Sequence, residues 1–194
     1  MSDRPGLLLA SGSPRRLELL RSIGIEPERV VATELDETPL RRELPRQLAL
    51  RLAEQKAEAA RDVAAGCYVL AADTVVACGR RILPKAETES DARFCLELLS
   101  GRRHRVHTGV CVIAPSGARA SRLVTTMVRF ARLSIRERDR YLRLGEWRGK
   151  AGGYAIQGAA AAFIPAINGS WPNVVGLPLV ETLRLLEGLG WTRP

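Results

Sequence analysis

The stretch that decides the fold covers residues 7–16 and reads Leu-Leu-Leu-Ala-Ser-Gly-Ser-Pro-Arg-Arg. Its first four residues are apolar, which predicts a short buried strand. Ser13 can cap a helix that begins at Pro14, because proline at the first helical position needs no hydrogen-bond donor. The positive end of the helix dipole would then lie beside Arg15 and Arg16. This arrangement predicts a phosphate-binding turn, although a capped helix with solvated arginines would have the same sequence.

The rest of the chain alternates strand-like and helix-like segments, which is typical of an α/β protein. Helices are predicted over residues 45–64, 88–99, 134 onwards and 179–188, and strands over residues 68–77, 104–114, 119–133, 154–156 and 161–164. Thr88 with Asp91, and Ser134 with Glu137, are spaced as in capping boxes. No repeat, low-complexity tract or linker interrupts this order. We therefore predict one domain over residues 1–194, with two lobes around a cleft.

The composition limits the class of protein. With 194 residues, 46% of them hydrophobic, the chain can bury a core without disulfides. Its four cysteines form no C-x-x-C pair, so no zinc or redox motif is indicated and a reducing cytosol is expected. Residues 1–6 carry charge and a proline, and the longest apolar stretch, residues 159–167, is interrupted by Pro165. Neither a signal peptide nor a membrane span is expected.

The charge balance favours an anionic partner. The net charge is +9, from 30 basic and 21 acidic residues, which suits nucleotides or nucleic acid without choosing between them. Only Lys56, Lys85 and Lys150 are lysines. In a chain that otherwise uses arginine, Lys56 and Lys85 suggest point-charge contacts, although a solvated helix face or loop explains them equally well.

Asp73 lies inside the apolar run of residues 69–76. A buried carboxylate is costly unless it is paired or binds a metal. We therefore expect Asp73 at a cleft, where it could ligate a divalent ion or activate water. The alternative is an acid at a strand end that caps a loop or pairs with an arginine.

Two further groups of residues contain side chains of the types that bind metals. Glu34, Asp36 and Glu37 form an acidic cluster that could help to hold magnesium, or could be a solvated loop. His104 and His107 lie in a strand-like segment, where a separation of three residues places them on opposite faces. We interpret the two histidines as structural.

Further motifs follow the opening stretch along the chain. They are Asp36-Glu37, residues 53–57 (AEQKA), 72–75 (ADTV), Lys85, 100–101 (SG) with 104–109 (HRVHTG), 151–158 (AGGYAIQG), 168–170 (NGS) and 175–179 (VGLPL). Each motif alone is a weak signal. Together, and in this order, they resemble the Maf family over residues 8–182.

The resemblance implies a fold similar to inosine triphosphate pyrophosphatases: an elongated mixed β-sheet flanked by helices, with the active site in the cleft between two lobes. It also implies hydrolysis of a nucleoside triphosphate to the monophosphate and pyrophosphate. By this resemblance Asp73 is the catalytic acid/base and a metal ligand, and Glu37 helps to position the Mg²⁺ or Mn²⁺ ion. The implied phosphate-binding residues are Ser13, Arg15, Arg16, Lys56 and Lys85.

Residues 154–158 resemble the branch of the family that acts on dTTP and UTP. Thr74 and Gln157 would then read the pyrimidine, because an amide can both donate to and accept from its edge. Two positions depart from the family pattern: Pro84-Lys85 reverses the usual Lys-Pro order, and Trp171 replaces a frequent tyrosine.

Taken together, the sequence and the resemblance predict a cytoplasmic enzyme with a nucleoside triphosphate substrate and with neither a membrane nor a nucleic-acid partner, and they leave a homodimer open. The alternative class is a nucleic-acid-binding or cell-division (septum) regulatory protein, which the charge of +9 also suits. A nucleotide sensor without turnover would keep the phosphate-binding turn but would not need Asp73. Steep salt dependence would indicate a nucleic-acid binder, whereas divalent-dependent turnover would indicate the enzyme.

Overall fold

The computed structural model describes residues 5–193. Its strands are β1 (Leu7–Ala10), β2 (Arg29–Val31), β3 (Tyr68–Cys78), β4 (Arg81–Ile82), β5 (Lys85–Ala86), β6 (Arg103–Ile113), β7 (Arg119–Arg129), β8 (Lys150–Ala151) and β9 (Ala166–Asn168). Its α-helices are α1 (Pro14–Ser22), α2 (Pro45–Ala59), α3 (Glu89–Leu99), α4 (Ile135–Leu144), α5 (Trp171–Val175) and α6 (Leu179–Gly188), and a 3₁₀-helix covers Ala159–Phe163.

One mixed sheet organises the described residues. Its strand order is β2-β1-β3-β6-β7-β9, with β4 paired to the far end of β3. The pairs of β1 with β2 and β3 are parallel, whereas the pairs among β3, β6, β7 and β9 are antiparallel. The predicted elongated mixed sheet flanked by helices is therefore confirmed.

Side-chain alternation along β3 separates two apolar layers. Leu70, Ala72 and Val76 face the larger core, which α1, α3, α4 and α6 cover. Val69 and Ala71 face the opposite side, where they pack against alanines of α2. Both faces of β3 are thus buried, which explains its nearly continuous apolar sequence.

An open edge of β3 positions the functional residues. On one edge, β6 pairs with β3 from Val69 to Ala77. On the other edge, β1 pairs with residues 68–71 and β4 with residues 77–78. Residues 72–76 therefore have no neighbouring strand on that edge within the part of the chain that the structure describes. The turn that follows β1 lies beside this opening.

Most predicted elements are confirmed, including β1, α1, α6 and both capping boxes. Thr88 Oγ1 accepts the Asp91 N–H at 3.2 Å, and Ser134 Oγ accepts the Glu137 N–H at 3.3 Å. The helix predicted over residues 45–64 ends at Ala59, because residues 60–67 form turns. The prediction of a single domain over residues 1–194 includes residues 1–4 and 194, which lie outside the described part.

Three strand predictions in the second half of the chain were wrong in whole or in part. The strand predicted over 119–133 ends at Arg129, and Ser100 Oγ instead accepts the Leu133 N–H at 2.8 Å. Tyr154 and Ala155 have no regular secondary structure, Ile156 begins a turn, and residues 161–163 belong to the 3₁₀-helix. Their apolar residues, such as Tyr154 and Ile156, pack into the larger core without forming strands. A short apolar run in a sequence does not distinguish a strand from a buried turn or a short helix.

The two histidines lie on opposite faces of β6 and bind no common partner. His104 Nε2 is 2.8 Å from the Tyr154 hydroxyl, and His107 Nδ1 is 2.9 Å from Thr125 Oγ1. Burial lowers the pKa of His104 to about 4. Burial also lowers the pKa of His107, followed by the charges of Arg105 and Arg46. The interpretation of both residues as structural is confirmed.

Residues 5–193 contain no helix that is both long enough and apolar enough to span a membrane. Residues 1–4, which entered the prediction that no signal peptide is present, lie outside the described part of the chain.

Gly109 sets how closely α2 approaches the sheet. It pairs with Asp73 across β3 and β6, and a Cβ atom at Gly109 would lie 2.3 Å from the Ala49 carbonyl oxygen. That oxygen belongs to helix backbone, which cannot move aside as a side chain can. Because glycine has no side chain, α2 can lie directly against the sheet next to Asp73.

We predict that Gly109→Ala lowers the free energy of unfolding by about 1–3 kcal/mol, because α2 must move away from the sheet. Gly188→Ala is the matched control, since a Cβ atom there meets nothing within 4 Å and alanine favours a helix. Urea denaturation of the two variants measures the difference. Equal stability of both variants would contradict the close approach.

Candidate active site

A cleft of about 360 Å³ opens at the uncovered edge of β3. Its walls come from the turn after β1, the segment before α2, β3, β5, β8 and the turn before the 3₁₀-helix. All nine site residues predicted from the sequence line it: Ser13, Arg15, Arg16, Glu37, Lys56, Asp73, Thr74, Lys85 and Gln157. These residues come from widely separated parts of the chain.

Lys56 connects two carboxylates in this cleft. Its Nζ lies 2.5 Å from Asp73 Oδ1 and 2.6 Å from Glu37 Oε1. Lys85 Nζ contacts the second oxygen of Glu37. The side chains of Lys56 and Asp73 are only 9% and 6% exposed, so this pair is buried. The expectation that Asp73 lies at a cleft is confirmed, and its partner is a buried lysine on α2 and not an arginine.

The electrostatics of Glu37 follow from these contacts. Burial raises the pKa of Glu37, but the hydrogen bonds and charges of Lys56 and Lys85 outweigh it, so the pKa is lowered overall. Glu37 is therefore ionised at neutral pH. The other members of the predicted acidic cluster lie elsewhere: Glu34 and Asp36 are exposed and do not line the cleft.

The turn after β1 is organised by Ser11, to which the sequence analysis assigned no role. Ser11 Oγ accepts the Ser13 N–H at 3.1 Å and a hydrogen bond from Arg16 Nη1 at 3.0 Å. Ser13 is the residue before the helix, as predicted, but its side chain makes no capping hydrogen bond. Its hydroxyl therefore does not satisfy the helix terminus, and that part of the prediction was wrong.

Arg15 and Arg16 have different environments. Arg16 is only 9% exposed, and its guanidinium also donates to the Gly176 carbonyl at 2.9 Å and to Thr74 Oγ1 at 3.3 Å. Arg15 is half-buried and has no hydrogen-bond partner among residues 5–193. Burial lowers the pKa of Arg15, and it does the same for Arg16. The alternative of a capped helix with two solvated arginines is therefore wrong for Arg16.

Adjacent residues of β3 reach the cleft from opposite faces of the sheet. Asp73 points toward α2, whereas Thr74 points toward α5. Thr74 Oγ1 lies 3.0 Å from Thr108 Oγ1, which in turn donates to the Asn173 carbonyl at 3.1 Å. Both side chains can enter one cleft only because no strand covers β3 here. The buried Thr108 and Asn173 had no predicted role, although Thr108 lies within the motif of residues 104–109.

Another part of the cleft wall is formed by residues 149–151 and 154–157. Tyr154 is buried and stacks edge-on against Phe130, with ring centroids 5.0 Å apart. Burial raises the pKa of Tyr154 well above its ordinary value. Gln157 lies in the turn formed by residues 156–158 and is exposed. It has no hydrogen-bond partner among residues 5–193. Its amide is therefore free to contact a ligand.

A family model described as Maf-like protein matches residues 6–189. The chain belongs to the Maf family. It is 61% identical over 191 residues to a protein of Caulobacter vibrioides named dTTP/UTP pyrophosphatase, covering 98% of this chain and 99% of that protein. It is 57% identical over 197 residues to a Mesorhizobium japonicum protein of the same name, covering 98% and 95%.

Solved structures also align with this Maf protein, at low similarity. A HAM1 protein from Coxiella burnetii aligns with a TM-score of 0.44 and 16% identity, over 66% of this chain and 74% of that chain. A nucleoside-triphosphatase, dITP/XTP pyrophosphatase, from Mycobacterium abscessus aligns with a TM-score of 0.41 and 18% identity, over 66% and 73%.

The cleft of this Maf protein contains two carboxylates that could hold a divalent cation, those of Asp73 and Glu37. Residues 5–193 contain no cluster of three or more His, Cys, Asp or Glu side chains suited to a metal. Mg²⁺ is commonly bound by one or two carboxylates together with substrate phosphates and water. The donor set therefore fits an ion whose coordination is completed by a nucleotide.

We predict that Arg16→Ala and Arg15→Ala differ in their effect on stability. Arg16→Ala removes three hydrogen bonds, two of them buried, and should lower the free energy of unfolding by about 1–3 kcal/mol, whereas Arg15→Ala should change it by less than about 0.5 kcal/mol. Urea denaturation tests this difference. Equal losses of stability would show that the contacts of the Arg16 guanidinium are not structural.

Proposed function

We propose that this Maf protein is a nucleoside triphosphate pyrophosphatase that hydrolyses dTTP and UTP to the monophosphate and pyrophosphate, and so removes unwanted nucleotides from cellular pools. The observation that carries the proposal is the buried Asp73–Lys56 pair beside the phosphate-binding turn in one cleft. The relatives named dTTP/UTP pyrophosphatase, which match nearly the full chain, support the substrate class.

Asp73 is the proposed general base. Its carboxylate accepts a proton from a water molecule, whose oxygen attacks the α-phosphorus of the nucleotide. The bond from the α-phosphorus to its bridging oxygen then breaks, and pyrophosphate leaves. Lys56 holds Oδ1 of Asp73, so the carboxylate has a fixed orientation toward the cleft.

The cations of the cleft bind and orient the triphosphate. Arg15 supplies a free guanidinium whose planar donors match phosphate oxygens. Arg16 stabilises the turn that contains Ser13, through its hydrogen bond to Ser11, and so shapes the phosphate site. Its remaining N–H groups can donate to a phosphate in the cleft, which Arg16 lines. Lys56 and Lys85 keep Glu37 in place and add positive charge next to it.

A divalent cation, Mg²⁺ or Mn²⁺, is the proposed cofactor, and Asp73 and Glu37 are the residues that would hold it. When bound, such an ion neutralises phosphate oxygens and stabilises the charge that develops during phosphoryl transfer. We place the enzyme in the cytoplasm, where four unpaired cysteines are stable, and treat residues 1–194 as one catalytic domain.

The deciding experiment measures pyrophosphate release from a panel of natural and modified nucleoside triphosphates, with and without Mg²⁺ or Mn²⁺. We expect dTTP and UTP to be hydrolysed fastest, in a reaction that requires the divalent ion. Tight nucleotide binding without turnover would indicate a sensor. Binding of nucleic acid that weakens steeply with salt, without turnover, would indicate the regulatory alternative.

We predict that Asp73→Asn keeps the fold but lowers kcat by about 10² to 10⁴-fold, because the nearly isosteric amide cannot accept the proton. Asp139→Asn is a matched control, since Asp139 pairs with Arg93 on the surface and does not line the cleft. Pyrophosphate release and thermal unfolding should be measured for both. A folded Asp73→Asn protein with normal turnover would exclude Asp73 as the base.

We predict that Gln157→Glu reduces the preference for dTTP and UTP over ATP by about tenfold in kcat/KM, or about 1.4 kcal/mol, because the amide donors to the pyrimidine are lost. ATP turnover should change less. Gln55→Glu, outside the cleft, controls for the added charge. If the ranking of the nucleotides is the same in both variants, Gln157 does not read the base.

A further inference from the structure

Lys150 is a cation of the cleft that has no role in the mechanism above. It lies on β8, which pairs with β5 so that Lys85 is opposite Ala151 and Ala86 is opposite Lys150. Both Lys85 and Lys150 line the cleft. This register places Lys85 and Lys150 on opposite faces of the small sheet. With Lys56, all three lysines of the chain line the cleft.

The other lysines of the cleft are already paired. Lys56 and Lys85 contact the carboxylates of Asp73 and Glu37. The Lys150 ammonium, in contrast, donates to a backbone carbonyl, that of Arg148, at 2.9 Å. A nearby carboxylate, Glu146, is occupied, because its Oε2 accepts the Ala159 N–H at 2.8 Å.

Lys150 and Arg15 line the same cleft. Burial lowers the pKa of Lys150, and the positive charge of Arg15 lowers it further, while Glu146 acts in the opposite direction. Neither cation has a carboxylate within salt-bridge distance in residues 5–193. Two like charges at one opening repel each other, so this arrangement is unfavourable unless an anion lies between them.

We propose that Lys150 and Arg15 form the subsite for the β- and γ-phosphates of the substrate, and hence for the pyrophosphate product. This inference rests on the proposed function. The β- and γ-phosphates carry most of the negative charge of a triphosphate, so they are best placed where positive charge is not already neutralised. The carboxylates of Asp73 and Glu37 are paired with Lys56 and Lys85, and neither forms a salt bridge with Lys150 or Arg15.

The test uses Lys150→Met, which removes the charge but keeps the length of the side chain, and Lys150→Arg, which keeps the charge. Arg148→Met is the matched control: it removes one positive charge from an exposed side chain two residues away and leaves the Arg148 carbonyl in place. Isothermal titration with inorganic pyrophosphate, and separately with dTMP, is carried out in buffer with Mg²⁺. Thermal unfolding confirms that each variant is folded.

We expect Lys150→Met to weaken pyrophosphate binding by about 10- to 100-fold, as for other hydrogen bonds to charged groups, and to leave dTMP binding within about twofold. Lys150→Arg should recover most of the loss, and Arg148→Met should bind like the wild type. Unchanged pyrophosphate binding by Lys150→Met, or a loss confined to dTMP, would overturn the subsite while wild-type turnover upholds the proposed function. A wild type that neither binds pyrophosphate nor hydrolyses any triphosphate would overturn both.

Discussion

The site depends on a buried lysine between two carboxylates. The Asp73 carboxylate has almost no exposure to water, so it is tolerable only with a partner, and Lys56 is that partner at 2.5 Å. Lys56 in turn requires α2 to lie directly on the sheet, which the absence of a side chain at Gly109 permits. The second contact of Lys56, to Glu37, ties the segment before α2 to the same point. One ammonium thus joins three parts of the chain.

The second constraint is the uncovered edge of β3. In a continuous sheet, Asp73 and Thr74 would face different layers and could not share a ligand. Because β1 ends at Ala10 and β4 begins pairing only at Ala77, both side chains open into one cleft. The buried Arg16 lines this opening and donates hydrogen bonds to Ser11 in the turn, to Thr74 on β3 and to the Gly176 carbonyl. The cleft therefore lies at an uncovered edge of the sheet and is lined there by a polar side chain.

The charges of the cleft fall into two groups. Lys56, Lys85, Asp73 and Glu37 neutralise one another. Arg15 and Lys150 do not have such partners in residues 5–193, and they face the same opening. The triphosphate of a nucleotide carries most of its negative charge on the terminal phosphate. It therefore suits a cleft in which one part is neutral and another part is positively charged. An electrostatic asymmetry of this kind orients a substrate before any chemistry occurs.

Local patterns determined the elements whose signals lie within a few residues: β1 and α1 from residues 7–16, the capped helices α3 and α4, and the structural role of His104 and His107. The predicted site residues also line one cleft. They could be predicted because the motifs that contain them resemble those of a family with one active site. Other features required the tertiary structure. Residues 154–156 are apolar because they reach the core from a segment that is not a strand, and the burial of Arg16 depends on Gly176, 160 residues away. The place of Lys150 likewise depends on the pairing of β8 with β5. Sequence patterns report the neighbours of a residue along the chain, whereas burial and charge pairing depend on its neighbours in space.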